Sequence, residues 1–182
     1  MTTDVIEEKT KNGLFEIRHG SLMSTTDSEG VRFELFSTLG KDRLWEAFIN
    51  REERVQWFGE MDIAKEIGDP FLFAAGRGHT HAGETLLYKE GERVEVSWIE
   101  VGDKTKVGAE RSVATFEFYD VEGGGLFVYT QKPLTKLTKY GAGTHAHIEM
   151  FAAYLQGESF TFHERYEYWL PFYEKVFGPL AD

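Results

Sequence analysis

The chain has 182 residues, 31 acidic against 20 basic side chains for a net charge of −11, 41% hydrophobic residues and no cysteine. Roughly 150 residues already bury about two-thirds of the unfolded chain's surface, so one domain with a sizeable core is expected. The absence of cysteine excludes disulfides, thiolate metal sites and a cysteine nucleophile, and the acidic balance opposes a nucleic-acid partner. The longest apolar run, Met150 to Leu155, falls far short of the ~20 residues that span a bilayer. The N-terminus also lacks a basic-then-apolar signal, so no membrane insertion and a cytoplasmic location are expected. Fifteen Phe, eight Tyr and four Trp leave two readings open, a hollow lined with rings or a solid aromatic core.

Taken in chain order, residues 1–30 form a polar leader in which Leu14 to His19 is a candidate extra strand. Val31 to Ser37 alternates with period two and places Val31, Phe33 and Leu35 on one face of the first main strand. Leu44, Trp45, Ala47 and Phe48 follow at helical spacing, and Asn50 is placed to cap a second short helix with Glu53 at its third position. From Met61 to Asp120 an antiparallel meander is expected, with strands at Asp62–Ile67, Phe71–Ala75, Thr80–Tyr88, Arg93–Ile99 and Arg111–Tyr119 between turns. Val94, Val96 and Trp98 share one face there, as do Ala114, Phe116 and Phe118. Residues 121–140 read as an inserted segment with a further strand at Leu126–Gln131, and Thr144–Phe151 as the final strand. The last helix has clear limits: a Thr161-x-x-Glu164 capping box, a Gly178-Pro179 stop, and a stripe of Phe162, Tyr166, Trp169, Leu170, Tyr173 and Phe177. Pro171 within it predicts a kink near Glu167.

Two histidine clusters are the candidates for chemistry. On a strand, His145, His147 and Glu149 share one face, which suits a two-His-one-carboxylate metal site. The opposite face, Ala146, Ile148 and Met150, reads as the core side and turns the same three residues to solvent instead. His79 and His81 also alternate, and His81 with Glu84 is a candidate general-base pair, against an ordinary strand-end histidine. His163 is expected near the surface. No Gly-x-Ser-x-Gly elbow is present, and Gly76-Arg77-Gly78 and Gly123-Gly124-Gly125 read as turns rather than phosphate cradles.

The element order resembles the START-like helix-grip fold, also called SRPBCC or Bet v 1-like, and several motifs resemble one branch of it. Leu44-Trp45-Glu46-Ala47-Phe48 followed by Trp57-Phe58-Gly59 is similar to the opening motif of bacterial homologues of the activator of the 90-kDa heat-shock chaperone's ATPase. Gly83 to Tyr88 with Glu92 to Trp98 resembles that family's central hairpin. Gly141-Ala142-Gly143-Thr144 with Ala153-Tyr154-Leu155-Gln156-Gly157 resembles its later strand and exit.

The resemblance implies an α+β domain over residues 31–182, a curved antiparallel sheet of about seven strands around a long C-terminal helix. It also implies an apolar cavity between sheet and helix. A small, mostly hydrophobic ligand is therefore expected, lined from the sheet side by Trp57, Phe71, Phe73, Trp98, Phe116 and Phe118. Tyr154, Tyr166, Trp169 and Leu170 would line it from the helix side. No cofactor is expected and no reaction is assigned. The alternative is a chaperone-regulator-like interaction module in which residues 121–140 present Leu134 and Leu137, and the third reading is a cavity enzyme using His81 and Glu84. A homodimer is expected through the edge at residues 14–19, whose sequence lacks proline.

Overall fold

The structure is a computed structural model that describes residues 6–9, 15–19, 22–26, 30–74, 80–101 and 111–180. The chain runs through strands β1 (Ile6–Lys9), β2 (Phe15–His19), β3 (Leu22–Thr26) and β4 (Val31–Ser37), then helices α1 (Lys41–Ile49) and α2 (Arg51–Arg54). Strands β5 (Glu60–Met61), β6 (Pro70–Ala74), β7 (Thr80–Lys89), β8 (Arg93–Val101), β9 (Arg111–Val121) and β10 (Gly124–Lys132) follow, and helices α3 (Leu137–Leu155) and α4 (Phe162–Phe177) close the chain. All strands join one curled antiparallel sheet in the order β1-β2-β3-β4-β10-β9-β8-β7-β6-β5. The seven strands from β4 to β10 make the expected α+β helix-grip sheet, and β1 to β3 extend it beyond β4. His79 and the expected turn at Gly76-Arg77-Gly78 lie outside the described residues.

Period-two patterning does what it predicts. Val31, Phe33 and Leu35 of β4, Val94, Val96 and Trp98 of β8, and Ala114, Phe116 and Phe118 of β9 are all buried on the inner face. Asn50 caps α2 as expected, its Oδ1 accepting from the backbone N–H of Glu52 at 2.9 Å and of Glu53 at 3.3 Å. Arg54, which no pattern singled out, is buried beneath this turn. Its guanidinium donates to the carbonyls of Phe48 at 2.7 Å and Ile49 at 3.1 Å, and to that of Met61, so it closes the C-terminus of α1. Burial lowers its pKa to about 10, which leaves it charged near neutrality.

Four expectations are corrected. The strand at Asp62–Ile67 is absent: only Glu60 and Met61 pair, with Ala74 and Phe73, and Gly68 at φ 89° then turns the chain. Residues 121–140 are no surface insertion, because β10 lies between β4 and β9 in the middle of the sheet. Leu134 is consequently buried rather than offered to a partner, and Leu137 packs against the core. Within the expected dimer contact, β2 (Phe15–His19) pairs with β1 on one side and β3 on the other and so offers no free edge. Even the leader contributes, since Ile6–Lys9 forms β1.

The fourth correction decides the site. Thr144–Phe151 is not a strand but the middle of α3. Its two-residue alternation is real, yet Tyr140, Thr144, Ile148 and Phe151 recur at helical spacing over the longer window, and all four are buried. With β10 filling the place between β4 and β9, α3 instead lies across the inner face, where Phe151 stacks on Trp57 at 3.9 Å and meets Phe127 at 5.4 Å. Helix α4, with the expected capping box at Thr161 and Glu164, packs on α3. The helices come close at Gly141, where a Cβ would stand 2.3 Å from the Tyr173 ring. The helix against the sheet is thus α3, with the capped aromatic helix laid over it.

Candidate ligand site between the sheet and helix α3

The inner face of the sheet has an aromatic part and a polar end. Phe48, Phe58, Phe116 and Phe118 interlock with ring centroids 4.7 to 5.8 Å apart, and Trp98 sits against Phe73 at 5.0 Å and Phe71 at 5.7 Å. Such offset and edge contacts let rings fill volume while keeping well-defined orientations. Two functions of the sequence pattern meet here: alternation on β6, β8 and β9 supplies the wall, and the turn after α2 drops Trp57 and Phe58 between wall and helix. Trp57 is held by its own indole N–H, which donates to the Ala47 carbonyl at 3.2 Å.

Where β7 and β9 begin, β10 ends and α3 starts, the inner face turns polar. His81, Ser112, Tyr129, Gln131 and Thr144 are all buried there. Tyr129 donates to Gln131 Oε1 at 2.6 Å, and Gln131 Nε2 donates to Ser112 Oγ at 2.8 Å. Burial pushes the Tyr129 phenol well above its usual range, against a hydrogen bond from Thr144 that pulls it down, so the group stays neutral. His81 packs beside Trp98 at 5.1 Å and Tyr140 at 6.3 Å. Just outside, Lys136 at 3.1 Å and Lys139 bind the Glu100 carboxylate and tie the start of α3 to β8. Although burial opposes it, their hydrogen bonds hold Glu100 down to about 2.

Farther along α3, a cleft of about 340 Å³ opens between Trp57, Phe58, Gly59 and Ala74 on one side and His147, Met150 and Phe162 on the other. His147 Nδ1 lies 3.0 Å from the Trp57 carbonyl, which can only accept, so the neutral ring carries its proton on Nδ1. Its ring rests on Phe162 at 4.6 Å and Phe58 at 5.1 Å. Burial pushes its pKa down to about 4 despite the carbonyl contact.

Comparison with known families places this architecture. A family profile described as Activator of Hsp90 ATPase homolog 1-like protein matches residues 39–164. The chain belongs to that family. Among solved structures, CalU16 from Micromonospora echinospora in solution is 14% identical, with a TM-score of 0.62 over 97% of this chain and 98% of that one. The Bordetella parapertussis protein encoded by gene BPP1335 is 18% identical with a TM-score of 0.66, over 82% of this chain and 87% of its own. DynU16, from the dynemicin biosynthetic locus, is 18% identical with a TM-score of 0.52 over 80% of this chain and 48% of its own. At these identities the likeness is one of fold alone. A comparison with functionally curated proteins returned no match.

Within this Activator of Hsp90 ATPase homolog 1-like architecture, the expected lining divides. Trp57, Phe71, Phe73, Trp98, Phe116 and Phe118 come together against α3 in one core. The helix-side residues meet this core from the α3–α4 side: Trp169 belongs to it and stacks on His145 at 3.6 Å, and Tyr166 packs half-buried against it and stacks on Phe162. Leu170 packs half-buried on the same pair of helices, and Tyr154 turns toward α2, its hydroxyl donating to Glu53 at 2.8 Å.

His145, His147 and Glu149 do not converge, because a helix rotates alternate residues apart where a strand aligns them. His145 pairs with the Tyr173 hydroxyl at 3.1 Å, and Glu149 accepts from Trp169 Nε1 at 2.7 Å and faces Arg165 at 3.2 Å, so both serve the α3–α4 contact. Neither histidine faces solvent as its strand assignment implied. Nor do His81 and Glu84 form a pair: three positions apart on β7 they occupy opposite faces, His81 buried and Glu84 exposed. His163 is exposed, as expected. The polar group Ser112, Tyr129, Gln131 and Thr144 was missed, since its members come from three elements and share no spacing. The one available signal was Gln131 interrupting an apolar inward face. No helix among the described residues is long and apolar enough to cross a membrane.

Proposed function

We propose that this protein binds a small, mostly apolar molecule between α3 and the inner face of the sheet, its hydrophobic body among the rings and its polar end toward Ser112, Gln131 and Tyr129. The observation that carries this reading is the gathering of buried polar side chains at one end of an otherwise aromatic inner face. A core built only for stability gains nothing from burying Ser, Gln, Thr and His together, because each must recover the hydrogen bonds it gave up in water. Binding sites have the opposite economy, with rings supplying area and a few polar groups fixing orientation. Membership of the family and the fold shared with CalU16 and DynU16 support the same reading. The cleft beside His147 is lined by Trp57 and Phe58, and the His147 ring lies 6.1 Å from that of Phe73.

Titration with 2-isopropenylnaphthalene, followed in 1H–15N correlation spectra, tests the reading with an apolar probe. The expected outcome is saturable one-to-one binding that moves the amides of α3 and of β6 to β9. Shifts confined to the outer face of the sheet, or none up to the solubility of the probe, overturn it.

A further inference from the structure

Trp98 is 4% exposed, and its indole Nε1 is buried without a hydrogen-bond partner among the described residues. Its surroundings explain why: the rings of Phe73, His81, Phe71 and Phe58 pack around it at centroid distances of 5.0 to 6.2 Å. The other buried tryptophans show what such a group normally finds. Trp57 donates to the Ala47 carbonyl and Trp169 to the Glu149 carboxylate. An indole N–H taken from water and left without an acceptor is a standing cost in the folded protein, removed by whatever brings an acceptor to it.

Directly across the ladder, Trp98 is the register partner of Ser112, so the two side chains stand next to each other on the inner face. The Ser112 oxygen accepts from Gln131, which fixes the hydroxyl and leaves its hydrogen to donate. Two donors therefore stand side by side on adjacent strands of the inner face. The neighbouring polar groups, Tyr129, Gln131 and Thr144, are uncharged. A carboxylate or phosphate would meet no lysine or arginine among these groups, only the His81 ring beside Trp98, whereas a neutral oxygen acceptor needs no counter-charge.

Resting on the binding reading above, we infer that the ligand is an apolar aromatic carbonyl compound whose carbonyl oxygen accepts hydrogen bonds from Trp98 Nε1 and Ser112 Oγ. The rest of the molecule takes the place of solvent-excluded ring contacts around Phe58 and Phe73, and the two donors set which end enters first.

The test compares two probes of nearly the same shape, 2-acetylnaphthalene, which carries the carbonyl, and 2-isopropenylnaphthalene, which has a methylene in its place. The expected result is about five-fold tighter binding of the ketone, the size of one or two ordinary net hydrogen bonds. The Trp98 indole proton should move downfield with the ketone and stay in place with the hydrocarbon. In Ser112→Ala and Trp98→Phe the ratio of ketone to hydrocarbon affinity, measured within each variant, should shrink toward unity. Equal affinities with the indole proton unmoved overturn the carbonyl inference and leave the binding reading standing. Binding of neither probe up to its solubility overturns both. The indole shift is read in the unaltered protein, so it decides the matter even if Trp98→Phe fails to fold.

Discussion

At the scale of single residues, His147 carries a consequence for stability. Its pKa falls from an ordinary 6.5 to about 4 on folding, so between those values the unfolded chain holds the proton and the folded chain does not. Stability is therefore full above about pH 6.5 and declines as pH drops toward 4, by about 2–3 kcal/mol across the window. His147→Gln keeps a donor for the Trp57 carbonyl and removes the titrating ring. Denaturant unfolding at pH 7.5 and at pH 4.5 should show the difference between the two conditions shrinking in the variant; an unchanged difference would assign the acid sensitivity to other groups. Arg54 and Trp98 illustrate the same physics with opposite outcomes. The buried guanidinium finds three carbonyls, while the buried indole finds no acceptor among the described residues.

Among the elements, the α3–α4 contact depends on the lack of a side chain at Gly141. Replacing glycine by alanine inside a helix ordinarily stabilises by about 1 kcal/mol. Here the added Cβ would stand 2.3 Å from the Tyr173 ring, far inside any allowed contact, and that ring is fully buried. Overpacking of this kind costs about 1–3 kcal/mol and exceeds the helical gain. Gly141→Ala should accordingly lower the urea midpoint, and the exposed Gly157→Ala makes a poor comparison because of its positive φ of 76°. A midpoint raised by Gly141→Ala would mean that α4 can shift away from α3 at little cost. The same close-approach logic operates at the other end of the sheet, where a Cβ on Gly125 would meet the Lys41 backbone nitrogen at 2.4 Å, so the start of β10 can lie under α1 only as glycine.

For the whole molecule, the extra strands change what the sheet exposes. β3 pairs residue for residue with β4 from Leu22–Leu35 to Thr26–Val31, so β4, which would otherwise be a sheet edge, is covered. The edge moves out to β1, whose sequence Ile-Glu-Glu-Lys carries charge at three of four positions, a common way to discourage strand addition. A chain beginning at Gly30 should keep β4 to β10 with both helices but uncover the β4 edge. Light scattering at tens of micromolar should then show stronger self-association for the shortened chain than for the full one. Equal scattering would indicate that β4 is protected by something other than β3.

Much of this was legible in the sequence wherever a local rule had no competitor. The inward faces of β4, β8 and β9 follow from strict alternation, the Asn50 and Thr161 caps from the chemistry of unsatisfied N–H groups, and the end of α4 from glycine followed by proline. The aromatic part of the candidate site was visible for the same reason. Residues 144–151 mark where local rules stop deciding: Ala146, Ile148 and Met150 satisfy a strand period while Tyr140, Thr144, Ile148 and Phe151 satisfy a helical one. The choice fell to long-range pairing, because β10 bonds to β4 and β9 on its two sides and leaves no ladder for a further strand at the centre. With the helix in that place, His145, His147 and Glu149 separate into different contacts, and Tyr129, Gln131, Ser112 and Thr144 come together from elements distant in the chain. Backbone periodicity and capping are encoded within a few residues of where they act, but the convergence of side chains from β7, β8, β9, β10 and α3 depends on sheet order, which only the folded chain as a whole decides.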